Sequence, residues 1–243
     1  MTVTFVGAGP GDPELLTIAA RRVLEEAEVV VYDRPSADAV VALAPACAER
    51  VCVGLAPGQR ALSQDDVNAL LVDYGRSGRD VVRLKSGDPF VASRGGEEAQ
   101  VLQQAGVDVQ VVPGVSSALG APAAAGIPLM LRRLSVTATF VDGNDDPEHG
   151  TPPDWDLLAK LGGTLVILTG RGRIRRIAAK LIAGGLPGDT PVAAISAGSR
   201  PAQQVLRGTL GDLPAPLPPP VTFVVGAVAA LNLTETEHVH AHP

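Results

Sequence analysis

Five short apolar runs in the first half of the chain, separated by stretches with helical periodicity, constrain the fold more than any other feature. The runs cover residues 3–6, 29–32, 50–53, 81–84 and 109–112. Between them, apolar residues recur at helical spacing over 15–27, 37–43, 65–77 and 97–105, and a further helix is expected over 117–125. Short apolar runs alternating with helices imply a mostly parallel sheet covered on both faces. Ser63-Gln64-Asp65-Asp66 has the form of a capping box opening the third helix.

The second half carries a different rhythm. Residues 135–141, 164–168 and 192–195 are expected to be strands, with helices over 156–161 and 174–183. Residues 203–208 and 221–225 then follow with little room for helix, which predicts antiparallel pairs in a mixed sheet. The expected fold is therefore α/β in two domains, residues 1–127 and 128–233, divided at Ile127-Pro128, with a flexible tail over 234–243. Residues 142–153 are expected to be a loop, and 214–220 a proline-rich linker.

Composition narrows the function. The chain has 243 residues, 46% of them hydrophobic, but only 3% aromatic, so Val, Leu, Ile and Ala must fill the core. A net charge of -6 argues against a nucleic-acid partner. No apolar run approaches the ~18 residues of a membrane span. The start, MTVTFVGAG, lacks the basic region and cleavage site of a signal peptide, so a cytoplasmic location is expected. Cys47 and Cys52 have no partner Cys/His pair, and no metal site is expected.

The chemistry-bearing stretches all sit where predicted strands of the first half end. Gly7-Ala8-Gly9-Pro10-Gly11-Asp12-Pro13 follows the first strand, but it is not a dinucleotide fingerprint: Pro13 stands where the third glycine of G-x-G-x-x-G belongs. Tyr32-Asp33-Arg34 follows the second strand. Arg83-Leu84-Lys85-Ser86-Gly87-Asp88-Pro89-Phe90 with Arg94-Gly95-Gly96-Glu97-Glu98 lies at the end of the fourth, and Val112-Pro113-Gly114-Val115-Ser116-Ser117-Ala118 at the end of the fifth. Ligands of open α/β sheets gather at that edge. Read singly, Glu97 and Glu98 complement a helix dipole, and Asp33 is a turn aspartate bonded to its own backbone.

Taken together, GAGPGDPELLT, YDR, RLKSGDPFVASRGGEE, VVPGVSSA and AGIPL resemble the uroporphyrinogen-III C-methyltransferases of the tetrapyrrole methylase family. In the second half TLVILTG, KLIAGG, DTPVA and VVGAVAAL extend the resemblance to about residue 231. The resemblance implies two α/β domains with S-adenosyl-L-methionine in the cleft between them, and usually a homodimer. It implies methylation of uroporphyrinogen III at C2 and C7 to precorrin-2, which feeds sirohaem and cobalamin synthesis. By matching motif, Pro10, Ser86, Gly87, Asp88, Val91, Ser116, Ser117, Thr169 and Gly198 would contact the cofactor. Asp33 would be the catalytic base. Arg34, Arg94 and Arg132 are candidates for binding the carboxylates of the tetrapyrrole, with Arg60, Arg133 and Arg171 as further cations.

The match departs from the family in its loops. Leu55 stands where the family has a lysine, Leu131 where it has a histidine, and Thr169 where it has a methionine that touches the cofactor. Loss of the lysine predicts a more apolar wall that raises the pKa of Asp33 and slows turnover of uroporphyrinogen III. Two alternatives stay open on these grounds: methylation of another tetrapyrrole or macrocycle, and a degenerate homologue that binds cofactor without catalysis.

Overall fold

The structure, a computed structural model, describes residues 2–33, 37–54, 62–144 and 151–234. Arg34, Leu55, Arg60, part of the expected 142–153 loop and nearly all of the expected tail lie outside the described residues. The chain divides into two compact units, Met1–Ser117 and Ala118–Pro243.

In the first unit, β1 (Thr2–Gly7), β2 (Val29–Tyr32), β3 (Glu49–Cys52), β4 (Val81–Lys85) and β5 (Asp108–Val112) form one sheet in the order β3-β2-β4-β1-β5. Every pairing in it is parallel. The period-two alternation of the strands splits the core into two layers. Val6, Val30, Val82 and Leu84 pack against α1 (Ile18–Glu25) and α2 (Asp38–Val41). Val3, Phe5, Val29, Val31 and Val81 face the other way, against α3 (Gln64–Arg76) and α4 (Gly95–Gln104). The Ser63–Asp66 capping box is present at the start of α3.

The first helix differs from expectation. Asp12 caps a 3-10 turn over Pro13–Leu15, and Thr17 then caps α1, so the amphipathic stretch is cut into two pieces by two successive capping side chains. Thr17 accepts from the Ala20 amide at 3.1 Å.

The second unit opens with the rest of α5 (Ser117–Ala124). It holds β6 (Ala138–Asp142), β7 (Thr164–Leu168), β8 (Pro191–Ser196), β9 (Gln204–Thr209) and β10 (Val221–Val225). The sheet order is β6-β7-β10-β8-β9, with β6 and β7 parallel and the other pairs antiparallel. The mixed sheet expected from the sequence is therefore present. One face packs on α6 (Trp155–Leu161) and α7 (Ile174–Ala183), the other on α5 and a 3-10 turn over Ala227–Ala230. Strand β6 starts later than its apolar pattern suggests. Leu131 and Ser135 exchange backbone hydrogen bonds at 2.9 Å, and the Ser135 hydroxyl donates to the Thr137 carbonyl, which closes a tight turn in place of the first strand residues. Among the described residues, no helix is long and apolar enough to cross a membrane.

Candidate active site

Parallel strands deliver all their outgoing loops to one edge of the first sheet. From β1 the chain crosses by α1 to β2; from β4 it crosses by α4, over the opposite face, to β5 on the other side. Crossovers that diverge in this way leave a crevice outside the ends of β1 and β4. The glycine loops meet there. The Ala8 amide donates to the Lys85 carbonyl at 2.8 Å. Gly9 and Gly87 then exchange amide-to-carbonyl bonds at 3.1 and 2.8 Å. Both have positive φ, 68° and 69°, which glycine adopts without steric cost.

The third loop joins them. A Cβ on Gly7 would lie 2.5 Å from the Gly114 nitrogen and 2.7 Å from the Gly87 carbonyl oxygen, so three loops touch backbone to backbone. Asp88 fastens this contact: one carboxylate oxygen accepts from the Phe90 amide at 2.8 Å, the other from the Gly114 amide at 3.1 Å. A carboxylate has about four acceptor positions, so Asp88 can still receive a ligand donor while it holds the β4 and β5 loops together.

Most of the expected cofactor residues gather at this edge. Pro10 is buried directly after the Gly9–Gly87 bridge, Ser86 is exposed, and Val91 is half-buried with its amide on the Asp88 carbonyl at 3.3 Å. A Cβ on Gly87 would stand 3.2 Å from the Ser117 nitrogen and 3.5 Å from the Ser116 Cα, which brings the Ser116-Ser117 entry to α5 against the β4 loop. Thr169 and Gly198 belong to the second unit. They follow β7 and β8, which both run antiparallel to β10, so both leave the second sheet at the same edge. Thr169 is held at φ 57° and its hydroxyl donates to the Asp142 carboxylate. Gly198 sits between Ala197 and Ser199, both at positive φ, and a Cβ there would be 2.8 Å from the Ala121 Cα.

Beside the glycine loops lies a buried charge cluster. Arg83 and Lys85, two residues apart on β4, point to the α4 side of the sheet and are 1% and 3% exposed. Arg83 donates to both oxygens of Glu98, at 2.8 and 2.9 Å, and to the Asp33 carboxylate. Lys85 lies 3.1 Å from Asp33 and donates to Glu98 at 3.1 Å. Glu98 is 1% exposed and also accepts from the Gln64 side chain at 3.3 Å. The two cations and two anions balance, as burial of charge demands. Asp33 is the one member that reaches solvent, at 30% side-chain exposure. Its backbone is fixed by close approach of Gly54, whose Cβ would run into the Asp33 carbonyl.

This cluster corrects the expected rise in the Asp33 pKa. Burial does push the carboxyl up, but Arg83 and Lys85 beside it more than offset that, and it is held below its ordinary value. The sequence reading took the neighbourhood from Leu55, whereas Asp33 lies across the β2–β4 pairing from two cations. The Glu98 reading is corrected too: it is a buried ion-pair partner, and only Glu97 is exposed on the first turn of α4.

Two of the expected carboxylate binders, Arg94 and Arg132, are exposed. Arg94 is exposed at φ 59° before α4, donating to Gln64 at 3.3 Å. Arg132 is exposed in the Leu131–Ser135 turn of the second unit. Arg171 donates to the Leu217 carbonyl at 2.6 Å, which gives it a structural partner.

Sequence reasoning did not single out Arg83, Lys85 and Glu98 as a site. A signal was present: two cations at i and i+2 in an otherwise apolar strand put two charges on one face of a buried sheet, and each must find an anion.

The family model for Tetrapyrrole (Corrin/Porphyrin) Methylases matches residues 2–214. The chain is 44% identical over 236 residues to an S-adenosyl-L-methionine-dependent uroporphyrinogen III methyltransferase of Methanosarcina barkeri, covering 95% of this chain and 92% of that one. It is 46% identical over 233 residues to siroheme synthase 1 of Cronobacter sakazakii, but spans only 49% of that protein. Among solved structures, uroporphyrin-III C-methyl transferase from Thermus thermophilus, complexed with S-adenosyl homocysteine, matches with a TM-score of 0.81 and 40% identity, over 94% of this chain and 98% of the other.

Proposed function

The chain belongs to the tetrapyrrole methylase family, and from that premise we propose that it transfers methyl groups from S-adenosyl-L-methionine to uroporphyrinogen III, giving precorrin-2 for sirohaem and cobalamin synthesis. The observation that carries this reading is the 44% identity to a uroporphyrinogen III methyltransferase over nearly the full length of both chains. The chain spans about half the length of the siroheme synthases that it matches.

The described residues fit the cofactor. Its amino-acid and ribose groups need donors and acceptors that a ligand can reach closely. The Ser86–Asp88 loop supplies an exposed serine, a glycine without a side chain, and a carboxylate with acceptor positions to spare. Pro10, Val91, Ser116 and Ser117 are proposed to complete this part of the site; Thr169 and Gly198 are proposed as cofactor contacts on the matching motifs alone. When bound, the cofactor supplies a sulfonium methyl, already a strong electrophile, so the protein's main task is to align a nucleophilic carbon with it. The pyrrole carbon that gains the methyl group must then release a proton. Asp33 is proposed to accept it: Arg83 and Lys85 hold it in place and favour its charged form, and its side chain is partly exposed. Arg34, Arg94 and Arg132 are proposed to meet the eight carboxylates of the substrate.

The family resemblance further supports a homodimer in the cytoplasm, and the net charge of -6 supports a site without nucleic acid. Anaerobic incubation with uroporphyrinogen III and S-adenosyl-L-methionine tests the activity. Two methyl additions by mass, with the absorbance of the oxidised product, are expected. Binding of cofactor with no methyl transfer to this substrate would overturn the reading.

A further inference from the structure

The charge cluster beside the glycine loops has a connectivity that goes beyond holding Asp33 in place. Both cations that touch Asp33 also touch Glu98. One guanidinium nitrogen of Arg83 donates to Asp33 and to one Glu98 oxygen, and the Lys85 ammonium contacts Asp33 and that same oxygen, each at 3.1 Å. Glu98 thus competes with Asp33 for each positive charge. Glu98 cannot leave: it is 1% exposed, held by both Arg83 nitrogens and by Gln64, and placed on the inward face of α4 with Ala99 and Leu102. Asp33 alone opens to solvent.

We propose that Arg83, Lys85 and Glu98 are positioning residues that set the proton affinity of Asp33, with Glu98 as a fixed counterweight that keeps the two cations from suppressing it completely. The proposal rests on the reading of Asp33 as the proton acceptor. With both cations and no Glu98, two full charges would act on one carboxylate in a poorly solvated position, and it would be too weak a base. With Glu98 and only one cation, the two carboxylates would compete for Arg83, and Asp33 would bind its proton more tightly. The balanced set of two and two lies between these extremes.

Both Asp33 oxygens are engaged from within the cluster, one by Arg83 and the other by Lys85. Among the described residues, the charged groups around Asp33 are Arg83 and Lys85 from β4 and, through them, Glu98 from α4. Arg94, ahead of α4, connects to the cluster only through Gln64 of α3. Tyr32, the last residue of β2, immediately precedes Asp33.

The test uses the full chain, its Asp33 carboxyl followed by carbon NMR against pH, alongside pH profiles of kcat/KM. Lys85→Met is expected to move the Asp33 titration upward by about one pH unit or more, the size expected on removing an opposite charge at hydrogen-bond distance, and the acidic limb of the rate profile should follow it. Glu98→Gln, which keeps shape and hydrogen bonding, should move the titration downward. Lys85→Arg should restore the wild-type titration. Should Lys85→Met fail to fold, Lys85→Gln carries the same expectation. Variants that lose activity while the Asp33 titration stays put would overturn the proposal, since a purely structural cluster predicts that result. So would shifts of Lys85→Met and Glu98→Gln in the same direction. Asp33→Asn separates this from the underlying reading: methyl transfer retained in that variant refutes Asp33 as the base, while opposed titration shifts would still uphold the electrostatic counterweight.

Discussion

Replacing Gly7 with alanine tests whether the three loops of the first sheet act as one piece. The added Cβ would lie 2.5 Å from the Gly114 nitrogen, 2.6 Å from the Gly114 Cα and 2.7 Å from the Gly87 oxygen. All three are backbone atoms, so no side chain can swing away. Reaching ordinary contact requires retreat of roughly 0.7–0.9 Å, which is overpacking of a kind that costs about 1–3 kcal/mol. The same retreat strains the bonds that hold the loops, Gly9 to Gly87 at 3.1 and 2.8 Å and Gly114 to Asp88 at 3.1 Å. Stretched by that much they pass the geometric limit of a hydrogen bond, at about 0.5–1.5 kcal/mol each. Overpacking and the three stretched bonds together cost roughly 2.5–7.5 kcal/mol.

At about 2–4 °C per kcal/mol for a chain of this size, the melting temperature should fall by roughly 5–30 °C. Calorimetric titration with S-adenosylhomocysteine should show a parallel loss of affinity, because Asp88 and Ser86 ride on the displaced loop. Gly96→Ala is the control. It lies in α4, no heavy atom stands within 4 Å of its added Cβ, and it should stabilise by up to about 1 kcal/mol through helix propensity. A Gly7→Ala protein that melts within 2–3 °C of wild type and binds equally well would refute the close-packed edge.

Two further outcomes follow from the charges. The folded pKa of Asp33 is depressed below 3.8, so its ion pairs contribute fully above that value and are lost as the pH falls through the lower folded value. Asp33→Asn should therefore be less stable than wild type at neutral pH, and the gap in chemical denaturation should close under strong acid; a gap independent of pH would contradict this. Because Arg83 and Lys85 already hold Asp33 ionised, Leu55→Lys should raise turnover by attracting the carboxylates of the substrate, lowering KM without moving the acidic limb. A tenfold gain in kcat/KM corresponds to about 1.4 kcal/mol, and a moved limb with unchanged KM would refute the explanation.

Much of the fold was legible because its signals are local. The strands are apolar runs bounded by turn residues, and their parallel or mixed pairing followed from whether helices lay between them. The two discrepancies are local competitions that periodicity does not register. Thr17 offers a cap inside an amphipathic stretch, and Ser135 bonds to a neighbouring backbone when it could have continued a strand. The glycine loops were legible for a related reason. Gly7, Gly87 and Gly114 lie at strand ends in a parallel sheet, and strand ends of such a sheet share an edge whatever the strand order.

The charge cluster was not legible in the same way, because it depends on strand order. Asp33 and Arg83 are 50 residues apart. They meet because β2 pairs with β4, bringing Val31 opposite Arg83 and Tyr32 opposite Leu84. Had β2 been placed beside β1 instead, Asp33 would have lacked both cations, and burial alone would have raised its pKa as expected from the sequence. The helix side of the cluster was closer to reach. Glu98 lies four residues before Leu102, so the two share the inward face of α4, while Glu97 points away. A glutamate on an inward helical face and two cations on one face of the preceding strand each require a buried partner, and they satisfy one another. That pairing fixes which face of the sheet α4 covers, and with it the direction of the β4–β5 crossover. The polar cluster and the crevice that holds the glycine loops are therefore consequences of one topological choice.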